Sequence, residues 1–170
     1  LGDSLLDHYN MEEISNAYKY DYENVPYTYY VLFPKNPNSI YERIQITIKR
    51  DNKYIDNLKN KMLIHEVAGQ DYSFENIDAC YFKLDNIKNE LVSILNSEAV
   101  EDSGYSSWDQ TGESKYKRYR FYLNENNLYA DIILRCTDIG ETWEKEGYQD
   151  VLSVSMYTKE YIKEINTNAY

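Results

Sequence analysis

No stretch of this sequence approaches the roughly 18 consecutive apolar residues of a transmembrane helix, so no helical membrane span is expected. Cysteine is nearly absent. Cys80 and Cys136 stand far apart, with no CxxC pair and no histidine close by, so zinc-type spacing is missing. Two buried thiols are the first reading and one disulfide is the second. The P-loop, GxGxxG, GxSxG and HExxH signatures are all absent, as is the loop spacing of an EF-hand. Histidine occurs twice, at His8 and His65, each in a stretch that reads as helix. Neither has a recognisable catalytic partner in sequence, and both are read as structural. No asparagine stands in an N-x-Ser/Thr sequon, which counts against a eukaryotic secretory origin. No internal repeat or low-complexity linker divides the chain. These absences lead us to expect no cofactor, no metal and no catalytic set.

Positive charge is scarce as well. Lys and Arg number 18 against 29 Asp and Glu, for a net charge of −11. Such a field opposes binding to nucleic acid or to anionic membranes and favours a protein partner with a basic patch over a small molecule. The run over residues 115–120 does interleave lysine and arginine with tyrosine, as single-strand nucleic-acid binders do. It is only one strand long. Alternation puts Arg118 and Arg120 on one sheet face, where carboxylates such as Asp131 are expected to neutralise them in cross-strand salt bridges.

What the sequence has in abundance is tyrosine: 20 residues, against 4 Phe and 2 Trp. Tyrosine packs its ring on a core edge and keeps its hydroxyl in water. It also gives rigid amphipathic area to protein interfaces. At 170 residues the chain fits one domain, which buries roughly two thirds of its unfolded surface.

Hydrophobic spacing predicts an opening helix over residues 4–18, with Ser4 or Asp7 as caps. A polar, aromatic, extended stretch over 20–25 follows, then a strand over 27–33 closed by Pro34. Residues 34–39 are turn-forming, and 40–50 alternate cleanly, with Ile44, Ile46 and Ile48 on one side. These two strands should form an antiparallel hairpin. Residues 51–68 read as helix ending near Gly69, with a strand over 62–67 as the competitor for its end. Alternation over 79–84 reads as a strand, followed by a helix capped by Asp85. Residues 98–114 read as one long acidic loop. Strands are expected over 117–123 and 128–137, joined by a turn at 124–127, and a further connection runs over 138–150. A last strand over 151–158, with Leu152, Val154 and Met156 inward, precedes a short helix over 159–165.

The pattern is α+β: a single domain with an antiparallel sheet of about five or six strands and about three helices packed mainly on one face. Arg118, Arg120, Tyr122, Asp131 and Arg135 should line the other, partly solvated face. Ile44, Ile46, Ile48, Phe82, Leu91, Ile132, Leu134 and Val154 are expected to share one core. Candidate binding residues come from the two acidic loops that each carry a tryptophan: Glu101, Asp102, Tyr105 and Trp108 in one, Glu141, Trp143 and Glu144 in the other. Tryptophan ringed by polar groups has the composition of a binding hot spot, whereas rings folded over the core edge would be structural. The leading functional expectation is a non-catalytic binding domain of an exported or cell-surface protein, since the chain starts at Leu1 rather than Met. An acidic intracellular inhibitor or immunity-type protein is the alternative. A small hydrolase using loop carboxylates comes third and needs a concave site holding two acids.

Overall fold

The computed structural model describes residues 1–36, 39–49, 62–106, 109–123 and 129–168. Among these, a 3-10 turn (Leu5–Asp7) is followed by α1 (Met11–Asn16), β1 (Tyr18–Asp21), β2 (Tyr27–Leu32), β3 (Arg43–Lys49), β4 (Ile64–Asp71) and α2 (Ile77–Leu95). The chain continues through β5 (Val100–Tyr105), β6 (Lys115–Tyr122), β7 (Tyr129–Asp138), α3 (Glu141–Glu144), β8 (Val151–Thr158) and α4 (Lys159–Asn168). The fold is α+β with one antiparallel sheet, in the order β1-β2-β3-β4-β8-β7-β6-β5. Its eight strands exceed the five or six expected, because β1, β4 and β5 lie in stretches read first as something other than strand, while the one strand expected over 79–84 is helical. Four α-helices are present among the described residues. The chain forms two compact units, one of residues 1–69, 123–131 and 155–170, the other of residues 70–122 and 132–154.

In the first unit the expected opening helix is broken. Ser4 caps the 3-10 turn by accepting from the Leu6 N–H, and the chain is then extended at Asn10. Asn10 and Glu13 form a capping box: the Asn10 side chain accepts from the Glu13 N–H at 2.9 Å, and the Asn10 N–H donates to the Glu13 carboxylate at 2.7 Å. A second start signal therefore sits inside what reads as one helix. The β2–β3 hairpin forms as expected, with Tyr30 opposite Ile46 and Thr28 opposite Ile48. On that first face Ile46 and Ile48 are buried with Leu32 and Ile64 beneath Leu5 and Ile14, while Ile44 is half-buried. The opposite face is also covered. Tyr161 of α4 packs on Tyr27 and Val25, and Thr47 is fully buried, so helical elements lie on both faces of this unit rather than mainly on one.

Most of the helix expected over 51–68 lies outside the described residues, but its end is strand β4, the competing reading. His65 is therefore a strand residue. Gly69 is not a helix terminus: it lies inside β4 under the Tyr41 ring, and a Cβ there would come within 2.6 Å of that ring.

In the second unit the strand expected over 79–84 is the first part of α2. Asn76, not Asp85, caps it by accepting from the Ala79 N–H at 3.0 Å, and Asn96 ends it in the left-handed region at φ 48°. Cys80 and Leu84 are four apart, a spacing that keeps them on one side of either a strand or a helix. Both are buried, but Phe82, two residues from each, is turned to solvent at 71 % exposure. Leu91 and Val154 are half-buried, and Met156 is exposed, so the expected core loses Phe82 and these positions thin at its margin. Ile132 and Leu134 are buried as expected, and Tyr119 and Phe121 are buried too. Cys80 on α2 and Cys136 on β7 form a disulfide with Cα atoms 6.1 Å apart, in place of two thiols. The turn expected at 124–127 lies outside the described residues.

Candidate functional site

Trp108 lies outside the described residues. The other predicted site residues fall in the second unit and divide among three environments. Glu101 and Tyr105 are on the edge strand β5, on the side facing Ser103, and line a groove of about 380 Å³ with Tyr81 and Lys117. Tyr105 is 66 % exposed, with the Lys115 ammonium 5.9 Å from its ring centroid. Lys117 is already engaged: its ammonium donates to Asp85 at 2.8 Å and lies 4.0 Å from Glu101. Asp102 faces the other way, opposite Arg118, whose Nε donates to it at 2.7 Å while Nη2 holds its second oxygen. The Arg118 fork holds the Asp102 carboxyl below its ordinary range against a smaller effect of burial. A cross-strand salt bridge of the expected kind thus joins Arg118 to Asp102. Asp131 is buried rather than on a solvated face.

The third environment is the acidic connection after β7. Trp143 is half-buried on the single-turn helix α3, and its indole N–H donates to Asp109 at 2.6 Å. Asp109 also accepts from the Thr111 and Ser114 N–H groups at 2.8 and 2.6 Å. Burial opposes its ionisation, but these bonds outweigh it and hold the carboxyl well below the ordinary range. The Gly140 N–H donates to Ser114 Oγ and the Thr142 N–H to Glu113, both at 3.0 Å. A Cβ on Gly140 would meet the Glu113 Cβ at 2.3 Å, so this close approach requires glycine. The two acidic segments are tied together through Trp143, which spends its polar handle inside the protein. Glu141 is exposed and lies 3.6 Å from Lys145. Glu144 lines a cavity of about 300 Å³ with Glu75, Asp150, Tyr72, Phe74 and Tyr148.

Sequence reasoning misses an aromatic cluster in the first unit. Tyr18 and Tyr20 of β1 stand opposite Val31 and Tyr29 of β2, so all of them share the face that carries Tyr27. Ring centroids of Tyr20 and Tyr29 are 5.2 Å apart and stacked, Tyr22 lies 5.5 Å from Tyr20 and 5.9 Å from Tyr29, and Tyr18 is 6.2 Å from Tyr29. Helix α4 closes one side of this surface. The Tyr22 and Tyr161 hydroxyls are 3.3 Å apart, and Tyr161 sits 4.8 Å from Tyr27 and 5.8 Å from Tyr157. Beyond the helix the rings are open: Tyr18 is 62 % and Tyr20 43 % exposed at the end of the sheet. The signal was present in sequence as Tyr at 18, 20 and 22 and again at 27 and 29, a period of two on both sides of a turn.

Under α4 lies a polar cluster. Glu66 is buried, accepts from the Thr47 hydroxyl and, at 3.5 Å, from Gln45. Burial raises its pKa, against the hydrogen bonds that favour the charged form. Its neighbour His65 reaches Thr158 at 3.1 Å and packs 5.5 Å from Tyr27, and burial lowers its pKa. Lys49 donates to Glu160 at 2.5 Å and to Glu164 at 2.9 Å, tying β3 to α4. The cluster anchors the helix that borders the tyrosine surface. Among the described residues no group of His, Cys, Asp and Glu side chains is arranged to hold a metal ion. No protein-family model, no curated protein and no solved structure matches this chain.

Proposed function

We propose that the chain is a protein-recognition domain of an exported or cell-surface protein and that the open tyrosine surface of β1 and β2 is its contact face. The observation that carries this reading is the packed set Tyr18, Tyr20, Tyr22 and Tyr29, with Tyr18 and Tyr20 exposed on an edge strand. Tyrosines fixed against one another offer amphipathic area with little side-chain entropy left to lose on binding. The partner is basic. A net charge of −11 attracts it at long range, and tyrosine faces accept lysine and arginine through cation–π contact. Disulfides persist in oxidising compartments, so the Cys80–Cys136 bond supports export over the alternative of an intracellular inhibitor.

Panning a peptide-display library against the chain tests this. Enriched peptides should be cationic and should bind at least ~10-fold more weakly to Tyr18→Ser and Tyr20→Ser, with melting temperature unchanged. Enrichment of acidic peptides, or binding that survives both substitutions, would overturn it.

A further inference from the structure

Among the described residues, only short pieces cover the face of β3 and β4 opposite the tyrosines. Leu5 and Ile14 come from helical pieces of three and six residues, and they reach Ile46, Ile48 and Ile64. Beside them Ile44, Ile46, Ile64 and Val67 form the floor of a cavity of about 690 Å³. That volume falls in the range of small-molecule sites, roughly 300–1,000 Å³.

Its walls are built, not accidental gaps. Tyr41 lies flat on Gly69, the one residue type that admits a ring so close to the strand, and its backbone N–H donates to Ser39 Oγ at 3.1 Å. Tyr9 stands on the other side. Its hydroxyl donates to the Phe33 carbonyl at 3.3 Å, and the Lys35 ammonium sits 4.8 Å from its ring centroid. The Lys35 ammonium near the rim already faces Glu13 at 3.1 Å, and the Asp3 carboxylate lies 3.7 Å from His8 Nε2.

We infer that this cavity binds an uncharged hydrophobic small molecule with one hydrogen-bonding end. The isoleucine floor supplies apolar contact and no partner for a buried charge, which would be costly there. An anion would find Lys35 occupied and a chain of net charge −11 around it. A cation would have to separate the Lys35–Glu13 pair. Ser39, whose oxygen accepts from the Tyr41 N–H, presents its O–H at the rim to donate to a hydroxyl or carbonyl.

The neutral fluorophore N-phenyl-1-naphthylamine provides the probe. It should bind the intact chain saturably at one site, and 1-decanol should displace it at least ~10-fold more effectively than decanoate, the same chain with a charged end. Val67→Trp, which fills the cavity, should abolish the signal while the far-ultraviolet spectrum is kept. If that variant fails to fold, Ile44→Phe serves the same purpose from the other end of the floor. Tyr20→Ser should leave probe binding intact, which separates this site from the recognition surface. Non-saturable binding, equal competition by decanoate, or full binding by a folded cavity-filled variant would each overturn the inference. So would loss of probe binding as the chain self-associates at higher concentration, since a second copy would then be the occupant.

Discussion

Glu66 carries the most specific residue-scale consequence. It is a carboxyl buried among hydroxyl and amide donors with its pKa raised by that burial. A carboxyl whose folded pKa exceeds its unfolded value retains its proton in the native state while the unfolded chain has already released it. Stability therefore falls as pH rises through the window that starts at the ordinary glutamate value of 4.5 and ends at the raised one. Glu66→Gln removes that titration and keeps an acceptor for Thr47. Urea unfolding at a series of pH values should show a shallower decline above pH 4.5 for the variant than for the parent. Parallel profiles would mean that Glu66 ionises as freely in the fold as out of it. Nothing in the sequence marks this residue, because one acid among 29 acquires its character only from what is packed over it. Phe82 teaches the converse. Its hydrophobicity is plain in the sequence, yet its direction depends on whether residues 79–84 coil or extend, and the coil points it to water.

At the scale of elements, α3 is the informative case. A helix of four residues cannot persist by its own hydrogen bonds, since nucleation fixes several dihedrals for a single bond. Its support comes from Asp109, Glu113 and Ser114, which receive or make the contacts of Trp143, Thr142 and Gly140. Asp109→Ala should therefore release two segments at once. Amide exchange should quicken over residues 140–148 as well as around 109–114, with β8 unaffected. Exchange that speeds only near the mutation would show that α3 is held by something else. The long alternating strands β6, β7 and β8 were legible within a residue or two of their ends, and β3 and α4 within three. The failures were short or ambiguous: β1 has four residues, and the 3-10 turn and α1 have three and six. In such short windows the periods of two and 3.6 are indistinguishable, and caps decide.

For the whole molecule, the disulfide is the feature with the largest reach. Cys80 and Cys136 close a loop with a sequence separation of 56 residues, most of which belong to the second unit. Closing a loop of that length restricts the unfolded chain by an amount that chain-entropy reasoning puts at about 4 kcal/mol, with measured bonds typically giving about 2–4. Denaturant unfolding with and without a phosphine reductant should differ by about 2–4 kcal/mol, with the reduced protein the less stable. Equal midpoints would mean that the packing of α2 on β6 and β7 already confines the chain.

The sequence by itself determined the fold class, the acidity, the abundance of tyrosine and the inward phase of Ile46, Ile132 and Leu134, because composition and period need no knowledge of distant neighbours. It narrowed the cysteines to two states without choosing between them. Tertiary structure decided the rest. It set Cys80 against Cys136, brought Asp109 to Trp143, buried Glu66 under α4, laid Tyr41 on Gly69 and gathered the tyrosines of β1 and β2 onto one face. Each of these joins residues separated along the chain, and such a contact is fixed by strand order and register, which local patterns do not encode.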